Sequence, residues 1–257
     1  MRNNIFITGA AGGFGRAVAR LFAGRGYFVG LFDINAAGLA EIAAEIGPDN
    51  CCQQTLDVTD PDDCTRALEF YASHTDGKLQ ILLNNAGITA VGSYETTPLK
   101  QHLKIVDVNL KGPMTLTYLA FPYLKATPGA HVISVASASA LHGNPELPSY
   151  ALTKRALNSF TESLDISWEP YGIAASDINP IYARTAMVTD YQHLHRNLPD
   201  KQVRLTPEDI ANDIWKISKN KQVHTYTGTD TKIFAVLKNL VPFSLQRTIM
   251  KKVIGYE

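Results

Sequence analysis

Short apolar runs without polar alternation recur along the chain, each followed by a stretch with helical spacing; Ile81-Leu82-Leu83 is the plainest of them. A strand with one wet face alternates apolar and polar residues, so a run lacking that alternation reads as a strand buried on both faces. Strands are expected near 5–8, 28–33, 52–57, 81–84, 131–136, 174–178 and 222–226. Helical patterns lie between them near 14–25, 36–46, 61–74, 99–124, 149–170 and 207–218. Strands buried on both faces and alternating with helices predict an α/β domain, a parallel sheet with helices packed on either side.

The 257 residues suit one such domain, and a chain of this size buries a large core. Basic and acidic side chains number 24 each, so no net charge argues for a nucleic-acid partner. Cys51, Cys52 and Cys64 are too few and too clustered for a disulfide framework, which suits a reducing, cytoplasmic setting. Neither a signal-peptide pattern at Met1-Arg2-Asn3-Asn4 nor an apolar run of bilayer length is read. His193-x-His195 offers half a metal site at most, and no metal is expected. The least regular stretch, 181–206, is a candidate lid over an active site.

Two local patterns carry chemistry. Immediately after the first strand, Thr8-Gly9-Ala10-Ala11-Gly12-Gly13-Phe14-Gly15 leads into a helix. Glycines there let backbone approach a phosphate closely, and the helix then points its positive end at the anion. Asp33 closes the second strand, where a carboxylate accepts hydrogen bonds from adenosine ribose hydroxyls and repels a 2′-phosphate. No Lys or Arg lies in 34–37 or between Gly9 and Gly13, which favours NAD over NADP. The other pattern is Tyr150-x-x-x-Lys154. Four residues make one helical turn, so phenol and ammonium share a face. A positive neighbour favours the phenolate and makes tyrosine a better proton acceptor.

The glycine turn at 8–15, Asp57-Val58 after the third strand, Asn84-Asn85-Ala86-Gly87 after the fourth and Tyr150-x-x-x-Lys154 resemble, in order and spacing over about residues 3–230, the short-chain dehydrogenase/reductase family. That resemblance implies a single Rossmann-type, doubly wound sheet of about seven strands, and nicotinamide-dependent interconversion of alcohols and carbonyls. It places Thr8, Gly9, Gly13, Phe14 and Gly15 at the cofactor, Asp57 and Val58 at the adenine ring, and Asn85, Ala86 and Gly87 along the cofactor cleft. Phe14 stands where the family often has Ile or Leu. Ser137 falls thirteen residues before Tyr150, as the family's catalytic serine does, and would orient the substrate oxygen. Asn109 matches an asparagine thought to hold a water in a proton relay ending at the lysine. Read alone, it is equally a satisfied buried amide. Pro180 and Thr185 match a loop that contacts the nicotinamide, although Ile181 replaces the family's glycine.

Residues 231–257 read as a helical extension of the 1–230 domain. No acidic residue occurs from Thr231 through Tyr256. Ile233, Phe234, Val236, Leu237, Leu240 and Val241 form one apolar group; after Pro242, Leu245, Ile249, Met250, Val253 and Ile254 recur at helical spacing among Arg247, Lys251 and Lys252. Such a basic amphipathic pair packs on the body, the substrate cleft or a second subunit, or rests on an anionic membrane. Either way it suggests an apolar alcohol or ketone substrate, with lipid, steroid and retinoid alcohols as analogies. The family resemblance further implies a homodimer or homotetramer. A catalytically silent dinucleotide sensor on the same fold is the alternative; retention of Ser137, Tyr150, Lys154 and Asn109 counts against it.

Overall fold

The computed structural model describes residues 2–181, 205–238 and 240–254. Seven parallel strands form one sheet in the order β3-β2-β1-β4-β5-β6-β7. They are β1 (Asn4–Thr8), β2 (Phe28–Asp33), β3 (Cys51–Thr55), β4 (Ile81–Asn84), β5 (His131–Val135), β6 (Ala174–Asn179) and β7 (His224–Tyr226). The helices are α1 (Gly13–Gly24), α2 (Ala36–Ile46), α3 (Pro61–Ser73), α4 (Leu99–Val106), α5 (Gly112–Lys125), α6 (Pro148–Trp168), α7 (Pro207–Asn220), α8 (Thr229–Lys238) and α9 (Phe243–Ile254).

Side-chain alternation explains the three layers. Along β1, Ile5 and Ile7 point to one face and Phe6 to the other, all fully buried. Ile5 and Ile7 join Val18 and Phe22 of α1, Ile42 of α2, and Ile210 and Ile214 of α7 in one core. Phe6 stacks on Phe32 at 3.9 Å between ring centroids and joins Leu68 and Tyr71 of α3 and Leu116 and Leu124 of α5 on the opposite side. Start signals match the helices they precede. Asn35 caps α2 by accepting from Gly38 N, Asp60 caps α3 ahead of Pro61, and Thr206 with Asp209 forms a capping box on α7.

The helix expected over 99–124 runs from Leu99 to Lys125, with a change of helical pitch inside it. Between α4 and α5, Asp107–Lys111 forms a π-helical turn. Pro113 lacks the N–H that an α-helix would donate to the Asn109 carbonyl. Gly112 lies so close to Val58 that a Cβ there would sit 2.9 Å from Val58 Cγ2. The missing donor opposes a regular α-helical ladder at this point, and the close contact explains why residue 112 is glycine. The third strand ends at Thr55, earlier than the expected 57, which leaves Asp57 in the turn leading to α3. Residues 182–204, which include Thr185, His193, His195 and nearly all of the candidate lid, lie outside the described residues.

Candidate active site

The strand order reverses direction around β1 and β4, so the connections leaving their carboxyl ends diverge and open a crevice. Three of the sequence patterns meet there. Gly9 and Gly13 adopt φ of +67° and +51°, the left-handed region that glycine enters without steric cost. Gly15 is fixed by a different constraint, since a Cβ on it would lie 2.1 Å from the Gly9 carbonyl oxygen. Gly12, the N-cap of α1, provides no side-chain cap, and the first turn holds no acidic residue. Its leading amides are thus turned toward an outside acceptor, the arrangement that suits a pyrophosphate.

The turn is braced from β4. Thr8 Oγ1 accepts from Asn85 N at 2.9 Å and Ala86 N at 3.0 Å, and Asn85 Nδ2 donates to Thr8 O and Gly9 O at 2.8 and 3.0 Å. The Thr8 hydroxyl therefore holds the two strand ends together. Asp33, half-buried, accepts from Ala11 N at 3.1 Å through one oxygen and from Asn35 N at 3.0 Å through the other. A carboxylate has about four acceptor sites, so room remains for ribose hydroxyls. Asp57 is exposed, and one of its oxygens is taken by Thr59, while Val58 is buried against Gly112. Phe14 packs against the core on the α1 side.

The second half of the site hangs on α6. Lys154 is 4% exposed, its Nζ donates to the Val135 carbonyl at 2.7 Å, and it lies 5.6 Å from the Tyr150 ring centroid. Burial pushes its ammonium down from 10.5 to about 8, because the charged form loses hydration. The positive charge expected beside the phenol is therefore one held at a cost. Tyr150 itself is half-buried. Val135 ends β5, and two residues later Ser137 Oγ accepts from Ser139 N at 3.1 Å, leaving the hydroxyl proton for another acceptor.

Asn109 is fully buried in the π turn. Its amide accepts from Ile88 N at 2.8 Å and donates to Ile88 O at 2.9 Å. Thr153 Oγ1 lies 3.4 Å from Asn109 Nδ2 and donates to the Tyr150 carbonyl at 2.8 Å. A Cβ on Gly87 would sit 3.4 Å from Asn109 Oδ1 and 3.5 Å from Lys154 Nζ. Gly87, Asn109 and Lys154 thus converge on one spot at the end of β4. Pro180 O accepts from Ala138 N at 2.9 Å, tying the end of β6 to the Ser137 turn.

Sequence reading passes over several of these partners. Thr153, the Ile88 backbone and the Val135 carbonyl carry no composition signal of their own. His102 is buried, bonded to Ser149 Oγ at 2.7 Å and to the Tyr94 carbonyl at 3.0 Å, so it ties α4 to the residue before Tyr150. A polar residue on the inner face of a short amphipathic helix is the only hint the sequence offers.

The chain is similar to known proteins. A family model described as short chain dehydrogenase matches residues 3–195. An uncharacterized short-chain type dehydrogenase/reductase of Sinorhizobium fredii is 33% identical over 234 residues, 88% of this chain. The chain spans only 42% of that relative's length. An NAD-dependent glycerol dehydrogenase of Listeria innocua is 29% identical over 181 residues, 70% of each chain. The crystal structure of a 3-ketoacyl-(acyl-carrier-protein) reductase from Brucella melitensis complexed with NADH superposes with a TM-score of 0.79 at 29% identity, covering 88% of this chain and 96% of that one. With the family match spanning most of the chain, and with a seven-stranded parallel sheet, the chain belongs to the short-chain dehydrogenases, oxidoreductases that use a nicotinamide dinucleotide.

Proposed function

We propose that the chain is an NAD-dependent oxidoreductase that interconverts a secondary alcohol and a ketone, with Tyr150 as the general acid and base. The observation that carries this reading is the placement of Lys154. A lysine buried on the Tyr150 face of α6 and reaching Val135 at the end of β5 has no structural need to be charged. Beside a proton-transferring phenol it has a chemical one. In oxidation, Tyr150 accepts the alcohol proton; in reduction it returns it. Ser137, whose oxygen already accepts from Ser139 N, turns its proton to the substrate oxygen and fixes it beside the phenol. The nicotinamide, when bound, supplies the hydride acceptor or donor. Asn109 contributes by holding Ile88 and Thr153 near the lysine, consistent with a water-mediated proton path to Lys154.

For the cofactor, the pyrophosphate falls to Gly9, Gly13, Phe14 and Gly15, and the ribose of the adenosine to Asp33. Thr8, Asn85, Ala86 and Gly87 shape the cleft, Asp57 and Val58 border the adenine, and Pro180 and Thr185 belong at the nicotinamide. Asp33 favours NAD, supported by the NAD-dependent name of the Listeria relative. The substrate is read as an apolar alcohol or ketone, in keeping with α8, which packs on the turn after Ser137. Exposed Met114 and Tyr118 on α5 and Leu152 and Ile166 on α6 support a homodimer or homotetramer. The free, buried cysteines are in keeping with a cytoplasmic setting.

The test is Tyr150→Phe, assayed with secondary alcohols and ketones at the reduced-nicotinamide absorbance, with NAD and NADP in parallel. Turnover should fall by about 10²–10⁴ while dinucleotide binding persists. Turnover close to the parent's would refute the assignment.

A further inference from the structure

In the acid-free segment 231–256, several apolar side chains lie exposed rather than in a core. On α8, Thr231 and Ala235 face inward, 3% and 9% exposed, and the helix packs on β7 and on the turn 138–141 that follows Ser137. Successive helical residues are turned by about 100°, so Ile233 and Val236 fall on the opposite side, and Leu240 follows in the turn after the helix. They are 53%, 64% and 75% exposed. Phe243, at the start of α9, is 78% exposed, and Leu245 is 50% exposed. Scattered surface apolar residues are ordinary, but five within thirteen positions form a patch.

The charge around the patch has one sign. Lys232, Lys238, Arg247, Lys251 and Lys252 fall in 231–256 without one carboxylate, while the chain as a whole is balanced at 24 and 24. The rest of the chain is therefore net acidic. Among the described residues no carboxylate pairs with Lys232, Arg247 or Lys251. Among the described residues, too, no helix is long and apolar enough to cross a membrane. Exposed apolar side chains flanked by unpaired cations match the chemistry of an anionic lipid surface, with acyl chains below and negative headgroups above.

We propose that α8 and α9 dock this protein on anionic membranes through Ile233, Val236, Leu240 and Phe243, with Lys232, Arg247 and Lys251 on the headgroups. Since α8 lies on the turn next to Ser137, docking brings the catalytic cleft close to the lipid. The link to substrate rests on the apolar-substrate reading above, whereas the docking itself does not.

The full chain is floated with phosphatidylcholine vesicles, with and without phosphatidylserine, at low and high salt and without substrate. Binding should require phosphatidylserine and fall at high salt. Lys232→Glu and Arg247→Glu should each weaken it by about fivefold or more, given the attraction of each cation to such a surface. Val236→Asp with Leu240→Asp should abolish it. All four positions are exposed, and NAD affinity and thermal midpoint serve as the fold control. No vesicle binding, or binding unchanged in these variants, overturns the proposal. So does a parent that remains off the vesicles as an oligomer which Val236→Asp with Leu240→Asp splits, because a second copy then covers the patch. Loss of turnover in Tyr150→Phe is read separately, so failure of the catalytic assignment and failure of docking are distinguishable.

Discussion

Replacing Lys154 by Met tests the buried ammonium without reference to any substrate. In the folded chain its pKa falls from 10.5 to about 8 through loss of hydration. One pKa unit corresponds to about 1.4 kcal/mol, so the charged form destabilises the fold by about 3 kcal/mol at neutral pH. The sign is the reverse of the usual lysine that gains an acidic partner. Below about 8 both folded and unfolded chains hold the proton and the full penalty applies. Between about 8 and 10.5 the folded chain has released it while the unfolded chain has not, so stability rises with pH across that window. Urea unfolding of parent and Lys154→Met, followed from about pH 7 to about pH 10, isolates this effect, since other groups titrate alike in both. The parent should gain about 2–3 kcal/mol relative to the variant across that range. Parallel curves would refute the buried charge, and with it the reason for placing it beside Tyr150. The constant offset between the curves reports a different quantity, the Val135 carbonyl that the variant leaves without its donor.

Gly15→Ala should abolish dinucleotide binding and lower stability by about 1–3 kcal/mol, because the new methyl meets the Gly9 carbonyl; calorimetric titration and urea unfolding check it, and tight NAD binding would exclude the close approach. Asp33→Ser should weaken NAD about tenfold or more and leave NADP affinity equal or improved, since a charged acceptor is lost for one ligand and a repulsion removed for the other. Equal losses for both would show that Asp33 only braces Ala11. His224→Leu removes the partner 2.8 Å from the fully buried Asp177, and about 3 kcal/mol of stability should go with it by urea unfolding; a loss below about 1 kcal/mol would mean that Asn179 alone satisfies the carboxyl.

Much of the fold was legible because the inner strands are buried on both faces, so their edges fall close to the edges of apolar runs; β3 and β7, which are not, differ most from their expected bounds. β2 and β4 have the expected bounds, and β1 differs by the single polar residue Asn4, buried because Tyr71 and Gln80 N donate to its side chain. The helix over 99–124 is present, but its internal π turn carries no sequence signal beyond Gly112-Pro113. In the site, residues defined by backbone geometry were readable, since only glycine fits Gly9, Gly13 and Gly15. Partners defined by the meeting of distant segments were not. Lys154 with the Val135 carbonyl, His102 with Ser149, and Asp177 with His224 each join positions whose proximity exists only once the sheet has formed.

The π turn at Asp107–Lys111 means that the stretch from Leu99 to Lys125 carries one residue more than a regular coil would seat. Deleting a single residue there would remove the wider turn, although Pro113 would still lack its donor. It would also swing Asn109 round by about 100°, out of reach of Ile88 and away from the lysine. At this turn the chain's length is itself part of the site.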